Sequence, residues 1–119
     1  MNKDHELGKL GEEVIANYIT RLGYKILDRN FECKQGEIDI IALDNKELVF
    51  IEVKTRTGIN YGEASEAITK YKKRHLLNSI KYYLYKRNLE DEFVRIDVAE
   101  VYVEGKNIKI NYIKKAIED

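Results

Sequence analysis

The sequence predicts a single α/β domain in which helices flank a mixed β-sheet, with the element order α-β-β-β-α-β-β. The length of 119 residues is that of one ordinary domain. The chain contains no proline and no Gly/Ser-rich linker that would mark an internal boundary. Two segments space their apolar residues as helices do, and five segments have the composition of strands. We therefore expect residues 1–119 to form one domain.

A helix is predicted near the N-terminus, because apolar residues recur at helical spacing from about residue 5 to residue 22. Gly23 then provides a natural end to this helix. Gly8 and Gly11 fall within its apolar arc. Since glycine costs a helix about 0.5–1 kcal/mol relative to alanine, we expect close packing of the helix backbone at both positions. Residues 24–27 follow as a short strand, with an irregular continuation at residues 30–33.

The next two strands form a predicted hairpin. Residues 36–43 and 47–54 are rich in β-branched and other apolar residues, and Asp44-Asn45-Lys46 supplies turn-forming residues between them. Leu43 is expected to lie opposite Leu48 across this turn. The remaining predicted elements are a loop at 55–62, a helix at about 63–88, and strands at 94–103 and 108–113.

The charge balance and the cysteine content narrow the possible functions. Lysine and arginine together number 21, as do aspartate and glutamate. This balance excludes a protein that coats nucleic acid through bulk charge, so any such contact would need a local basic patch. Cys33 is the only cysteine, which excludes an internal disulfide framework and a multi-cysteine zinc site. With no apolar run of membrane-spanning length and no signal peptide, we expect a soluble, cytoplasmic protein with no membrane partner.

Acidic side chains come together in the predicted hairpin. Because side chains alternate between the faces of a strand, Glu37 and Asp39 share one face, and Glu52 and Lys54 share a face of the next strand. With symmetric pairing across the turn, Asp39 faces Glu52 and Glu37 faces Lys54. Directly opposed carboxylates lie about 4.5–5.5 Å apart at Cβ and repel unless a cation lies between them. Two such oxygen donors suit Mg²⁺ or Mn²⁺, and a nearby lysine could assist an attacking water, so these residues fit metal-assisted phosphodiester hydrolysis.

A solvated sheet face, with Glu37 and Lys54 as a cross-strand ion pair, is the alternative interpretation of the same residues. The two strands are, however, strongly apolar on both faces, with Ile41, Leu48 and Phe50 on the charged side. This pattern indicates burial beneath a helix, and buried charge requires a reason. Spacing alone leaves both interpretations open.

Two sequence motifs resemble those of a known superfamily. Gly36-Glu37-Ile38-Asp39, followed by Phe50-Ile51-Glu52-Val53-Lys54-Thr55-Arg56, is similar to the motif of the PD-(D/E)xK, or restriction-endonuclease-like, nucleases. More closely, the chain resembles the YraN-like family of bacterial proteins over nearly its whole length. The other matching positions are Gly8-x-x-Gly11-Glu12, Gly23-Tyr24, Asn30-Phe31, Glu66-Ala67-Ile68, Lys72 and Arg95-x-Asp97-Val98.

The resemblance implies a restriction-endonuclease-like core and divalent-metal-dependent cleavage of DNA, including branched or repair intermediates. It implies Asp39, Glu52 and Lys54 as the catalytic residues. Asp39 and Glu52 would hold Mg²⁺ or Mn²⁺, the backbone carbonyl of Val53 would add a ligand, and Lys54 would serve the attacking water. Glu12, at the edge of the apolar arc of its helix, is similar in place to a helix glutamate that joins the metal site in branched-DNA resolvases of this fold. A helix-surface glutamate is the alternative for Glu12.

Basic residues of the second helix could contact nucleic acid. Lys70, Arg74 and Lys81 stand within about 40° of one another on a helical wheel, and Arg56 in the preceding loop could join them at phosphates. A solvated basic face is the ordinary alternative. The alternative function is accordingly a non-catalytic nucleic-acid-binding module, or an adaptor, that keeps the nuclease fold. A homodimer is a further expectation, because a small nuclease needs two sites to cut both strands.

Three further residues are expected to support the site, namely Glu37, Glu66 and Lys72, the last two from their match to family positions. Arg95 and Asp97 share a strand face and are expected to form an ion pair that supports the sheet.

The tyrosines and histidines are expected to be structural or exposed. Tyr82, Tyr83 and Tyr85 are expected to pack in the protein, or to form a dimer contact, rather than to stack on bases. His5 and His75 share no metal-ligand spacing and are expected at the surface.

Overall fold

The computed structural model describes residues 3–57 and 69–118, and these form two helices and five strands. The predicted order α-β-β-β-α-β-β is confirmed. The elements are α1 (Lys3–Arg21), β1 (Lys25–Cys33), β2 (Gly36–Asp44), β3 (Glu47–Thr57), α2 (Lys70–Lys86), β4 (Val94–Glu104) and β5 (Asn107–Ile113). No helix in this part of the chain is long and apolar enough to cross a membrane.

The five strands form one sheet in the order β1-β2-β3-β4-β5. β3 and β4 are parallel, and the other neighbouring strands are antiparallel. Parallel neighbours need a crossover connection, and α2 lies within the crossover between β3 and β4. Because α1 and α2 pack in different core clusters, each face of the sheet is covered by one helix.

Each helix buries an apolar face against the sheet. On the α1 side, Ile15 and Ile19 are fully buried in a cluster with Ile40, Val49 and Ile51 of β2 and β3. The cluster on the α2 side contains Ile38, Ile41 and Phe50 from the strands and Leu76, Ile80 and Tyr83 from the helix. The central strands are therefore held between two apolar layers, which explains why both of their faces are apolar in sequence.

The first and third strands are longer than predicted. Residues 25–33 form one strand, in which Asn30 has a φ of +52°. β3 was predicted to end at residue 54 and instead continues to Thr57, because it pairs with β4 as far as Val103. The predicted assignment of residues 55–57 to a loop, which includes Arg56, is therefore wrong.

The second helix begins later than predicted within the described residues. Thr69 is its N-cap, and its side-chain hydroxyl accepts a hydrogen bond of 3.1 Å from the backbone N–H of Lys72. α2 then extends from Lys70 to Lys86, close to the predicted end. The predicted helical residues 63–68 lie outside the described part of the chain.

Close packing of the helix backbone is confirmed at Gly11 and wrong at Gly8. A Cβ at Gly11 would overlap Thr55 Oγ1 and would lie 3.0 Å from Thr55 Cβ, so α1 crosses β3 at a point with no room for a side chain. A Cβ at Gly8 would meet nothing within 4 Å.

A buried charge network joins the β2–β3 turn to β4. The predicted ion pair is confirmed, with Arg95 Nε donating to Asp97 Oδ1 at 2.9 Å. Arg95 Nη1 also donates to Asp44 Oδ2 at 2.9 Å and to Glu47 Oε1 at 3.1 Å. Arg95 Nη2 donates to the Tyr24 hydroxyl at 2.8 Å. Since Arg95 and Asp97 are both buried, this network fixes the turn from which the hairpin strands extend.

Candidate active site

The candidate site lies where the hairpin strands β2 and β3 stop pairing. The predicted register is confirmed next to the turn, where Leu43 lies opposite Leu48. The paired residues then continue only as far as Ile40 opposite Ile51. The expectation that Asp39 and Glu37 extend the same ladder is therefore wrong.

At the point where the pairing of β2 and β3 ends, the side chain of Asp39 bonds to the backbone of β3. Its Oδ2 atom accepts a hydrogen bond of 2.8 Å from the backbone N–H of Val53, so a carboxylate takes the place of a backbone acceptor. The alternation of faces also breaks here, because Ile38 and Ile41 lie on the α2 side whereas Ile40 lies on the α1 side. The predicted sharing of one strand face by Glu37, Asp39 and Ile41 does not hold through this break.

The break brings two strand carboxylates to the first helix. The carboxylates of Glu12, Glu37 and Asp39 each place an oxygen within 4.8 Å of the others. Burial raises the pKa of Glu12, and the charge of Glu37 raises it further. Of the two interpretations of Glu12, the structure thus favours a residue facing the strand acids over a plain helix-surface glutamate.

Asp39 and Glu52 are partly buried carboxylates, and the charge of Glu52 opposes the ionisation of Asp39. Burial, followed by the charge of Glu52, raises the pKa of Asp39 to about 8 from an ordinary value of 3.8, despite the hydrogen bond from Val53. Burial likewise raises the pKa of Glu52, against the lowering effect of Lys54. The two side chains are therefore held close together with their charge only partly compensated.

Lys54 is buried beside this pair, with 5% of its surface exposed. Its Nζ atom lies 3.8 Å from Glu52 Oε1, whereas an ion pair with Glu37 is not found among the described residues. Burial lowers the pKa of Lys54, the negative charge of Glu52 opposes this effect, and the nearby Lys72 adds to it. Lys54 is thus an ammonium group that loses its proton more readily than an exposed lysine.

A small cavity of about 180 Å³ opens between the hairpin and the first turns of α2. The helix contributes residues that sequence reasoning placed elsewhere or did not consider. His75, expected at the surface, is half-buried and lines the cavity. The polar and aromatic residues of the lining are Glu37, Glu52, Lys54, Tyr71, Lys72 and His75.

The prediction missed Tyr71 and did not connect His75 to the site. The sequence does contain a pattern that indicates this grouping. Tyr71 and His75 are four residues apart and Lys72 lies between them in sequence, so a helix places all three on neighbouring parts of its surface. Lys72 is where the prediction placed it, close to Glu52 and Lys54. Glu66, also predicted as a supporting residue, lies outside the described residues.

The predicted basic stripe lies on a different side of α2. Lys70, Arg74 and Lys81 line a separate groove of about 410 Å³, together with Lys73. Successive residues of an α-helix are rotated by about 100° around its axis. The basic residues of the groove therefore lie about 150° around the axis of α2 from Tyr71, Lys72 and His75. The structure therefore groups the stripe as predicted and separates it from the carboxylates. Arg56 is exposed near the end of β3, where its Nη1 donates to the backbone carbonyl of Thr55.

The donor set of the site fits a hard divalent cation. Mg²⁺ and Mn²⁺ prefer oxygen ligands, and the site offers carboxylate oxygens from α1, β2 and β3. Burial, together with the charge of neighbouring carboxylates, raises the pKa values of Asp39 and Glu52, and a bound positive ion would offset that charge.

Comparison with known proteins assigns the family. The model of the Uncharacterised protein family UPF0102 matches residues 11–101. The chain belongs to this family. The UPF0102 protein of Caldicellulosiruptor saccharolyticus is 47% identical over 118 residues, which cover 98% of this chain and 99% of that protein. A UPF0102 protein of Clostridium botulinum (strain Loch Maree) is 46% identical over 120 residues, which cover 98% and 96% of the two chains.

The UPF0102 match contains every candidate residue from Glu12 to Lys81, and it confirms the YraN-like resemblance drawn from the sequence motifs. Among solved structures, SSO0001 is similar with a TM-score of 0.41 and 16% identity. That alignment covers 98% of this chain and 55% of SSO0001, so the chain spans about half the length of that protein.

Proposed function

We propose that this UPF0102 protein is a divalent-metal-dependent nuclease that hydrolyses phosphodiester bonds in DNA in the cytoplasm. Asp39, Glu52 and Lys54 are its catalytic residues. The observation that carries the proposal is the pair of crowded, partly buried carboxylates beside a buried lysine, at the point where the hairpin opens. Such an arrangement costs folding free energy, and perturbed titratable groups of this kind cluster at functional sites.

The metal ligands in this proposal come from three elements. Asp39 and Glu52 bind Mg²⁺ or Mn²⁺, and Glu12 completes the set from α1. The N–H and C=O of one strand residue point to the same strand edge, and the Val53 N–H points to Asp39, so the Val53 carbonyl faces that edge as a further ligand. Glu37 lies within 4.8 Å of Glu12 and Asp39 and supports the same group. When bound, the ion supplies an activated water and neutralises charge on the phosphate.

The other residues have roles that follow from their charge. Lys54 has a lowered pKa and lies beside Glu52, which supports a role in moving a proton from the attacking water. Lys72 lines the same cavity and is exposed, so it can contact the phosphate group. The hydrogen bond from Val53 holds Asp39 in one orientation.

The test is a calorimetric titration with Mn²⁺, with cleavage of linear, branched and single-stranded DNA measured in parallel. Wild type is compared with the double variant Asp39→Asn, Glu52→Gln, and with Asp91→Asn as a control that removes an exposed acid outside the site. We expect wild type and the control to bind Mn²⁺ and cut DNA, and the double variant to do neither. Unchanged Mn²⁺ affinity in the double variant, or cleavage that survives it, would refute the proposal.

A non-catalytic nucleic-acid-binding module is the second candidate, and the basic groove on α2 favours it. Lys70, Lys73, Arg74 and Lys81 line that groove away from the carboxylates, where phosphates would meet no acidic repulsion from the site. A salt-sensitive DNA affinity that falls in Lys70→Gln, Arg74→Gln, Lys81→Gln, in a protein that neither binds Mn²⁺ nor cuts DNA, would select this function. In a nuclease, the same groove would provide a second contact to DNA, whether the protein acts as a monomer or as a homodimer.

A further inference from the structure

An exposed aromatic ring lies at the opening of the candidate active site. Tyr71 lines the cavity together with Glu52 and Lys54, yet 70% of its surface is exposed. An aromatic side chain buries a large apolar area when it packs, so a solvent-exposed ring beside charged residues leaves that area unused. Among the described residues, burial of apolar area therefore does not account for the position of Tyr71.

The ring of Tyr71 is supported from within the protein. Its centroid lies 4.2 Å from that of His75, at an interplanar angle of 52°. His75 is itself held in place, because its Nδ1 atom donates a hydrogen bond of 2.6 Å to the backbone carbonyl of Gln35. This bond links α2 to the turn between β1 and β2. Tyr71 thus contacts, on one side, a histidine that is held by the turn between β1 and β2, and most of the rest of its surface is exposed.

The size of the cavity limits what can enter it. Pockets that enclose whole drug-sized ligands have volumes of about 300–1,000 Å³. The cavity beside Tyr71 measures about 180 Å³. It has room for a phosphate group among the carboxylates and lysines, and a nucleobase attached to that phosphate would have to remain outside, at the level of Tyr71.

We propose that Tyr71 is a stacking platform for an unpaired nucleobase adjacent to the phosphate that occupies the cavity. The inference rests on the proposed function and names its substrate class, which is a strand with an unpaired or extruded nucleotide at the scissile position. In a continuous duplex both faces of each base are covered by neighbouring bases, so only an unstacked base offers a face to the ring. Lys72, the next residue of the helix, lies beside the platform to contact the backbone of the same strand.

The chain provides a matched control for this ring. Tyr85 is 69% exposed on the same helix and is therefore as accessible as Tyr71. It lies fourteen residues further along α2, which corresponds to about 21 Å of helix. A general preference of exposed tyrosines for nucleic acid would affect both residues, whereas a platform at the site affects Tyr71 alone.

The experiment compares two strands that differ only in their bases. Binding of the full-length protein is measured by fluorescence anisotropy in EDTA, and again in Ca²⁺, with a thymidine strand and with an abasic strand of the same length. Both strands carry the same phosphates, so backbone contacts cancel in the ratio of affinities. We expect wild type to prefer the thymidine strand by about 10-fold. Tyr71→Ala should lose this preference, whereas Tyr71→Phe and Tyr85→Ala should keep it.

Several outcomes would overturn the platform. They are equal affinity of wild type for the two strands, no binding of either strand, a preference that survives in Tyr71→Ala, and a preference that Tyr85→Ala loses equally. A uridine strand tests whether the preference over the abasic strand persists when the sugar changes. We expect wild type to show this preference and Tyr71→Ala to lose it. Cleavage assays separate this proposal from the preceding one. Asp39-dependent cutting without a base preference removes the platform alone, whereas a Tyr71-dependent preference without cutting removes the nuclease and keeps the platform.

Discussion

Replacement of Asp39 by asparagine should stabilise the metal-free protein at neutral pH, although it removes a proposed catalytic residue. The carboxylate is crowded by Glu52 and partly buried, so ionisation at this position opposes folding. Asparagine has the same shape and can still accept the hydrogen bond from the Val53 N–H, but it carries no charge. The variant therefore isolates the electrostatic penalty from packing.

The size of the effect follows from the two pKa values of Asp39. In the unfolded chain the pKa is about 3.8, and in the folded protein it is about 8. At pH 7 the unfolded value lies about 3 pH units below the solution pH, which gives a ceiling of about 4 kcal/mol at about 1.4 kcal/mol per unit. Because Glu52 shares the repulsion and the side chain keeps some contact with water, we expect about 1–3 kcal/mol. This corresponds to a rise in the unfolding midpoint of about 4–12 °C.

The advantage of Asp39→Asn should depend on pH in a defined direction. Between about pH 4 and pH 8 the folded protein holds the Asp39 proton more tightly than the unfolded chain does. The free energy of unfolding of wild type therefore falls as the pH rises through this range, and it levels off above the folded pKa. Asparagine does not titrate, so the variant should gain little near pH 4 and its full advantage near pH 8.

Urea denaturation in EDTA, at about pH 4.5 and about pH 7.5, measures this difference. Asp91→Asn, which removes an exposed carboxylate outside the site, should show no comparable gain. Addition of Mn²⁺ should stabilise wild type and not Asp39→Asn, because the bound ion, like the proton, would neutralise the negative charge of Asp39. A variant that is less stable than wild type at pH 7.5, or equally more stable at both pH values, would refute the electrostatic reasoning.

Further predictions concern packing, the charge network and the lysine. Gly11→Ala should destabilise the protein by about 1–3 kcal/mol, because the new Cβ overlaps a side chain of β3. Gly8→Ala, in open space on the same helix, should instead stabilise it by about 0.5–1 kcal/mol in thermal unfolding. Arg95→Met should cost about 3–5 kcal/mol in urea denaturation by leaving the buried Asp97 uncompensated. Lys54→Met should keep its Mn²⁺ affinity in calorimetry and lower the cleavage rate by about 10²–10⁴-fold.

Each of these predictions has a result that contradicts it. Equal stability of the two glycine variants would mean that the crossing of α1 and β3 has room to adjust. Arg95→Met combined with Asp97→Leu should recover most of the lost stability, and a further loss would mean that the network acts through packing rather than charge. A Lys54→Met protein that cuts at the wild-type rate would remove the lysine from the chemistry. One that no longer binds Mn²⁺ would place its effect on the metal site instead.

The register next to the hairpin turn was predictable because only local information determines it. Two apolar strands and a short polar turn fix Leu43 opposite Leu48, since a slip by one residue would send the side chains that share a face to opposite sides of the sheet. The point at which pairing ends was not predictable in the same way. It depends on the Asp39 carboxylate accepting a backbone N–H, which alternation of faces does not encode.

The sequence singles out the acidic and basic residues, but how they group in space depends on tertiary packing. The approach of Glu12 to Glu37 requires the position of α1 over the sheet, which is set by the absence of a side chain at Gly11. The rotation of α2 decides that Lys72 faces the carboxylates and Lys70 does not. That rotation follows from contacts distant in sequence, including the bond between His75 and Gln35.

The contacts that anchor α2 to the sheet are unevenly distributed along the helix. Its buried residues, Leu76, Ser79, Ile80 and Tyr83, all follow the first turn, and the Tyr83 hydroxyl donates to Asp28 of β1 at 2.8 Å. The free energy of opening should therefore increase from the cavity end of the helix toward its C-terminal half. Amide hydrogen exchange should be fastest in the first turns and slowest around Tyr83, and uniform protection would contradict this gradient. Local opening at this end would widen the cavity while the rest of the helix stays docked on the sheet.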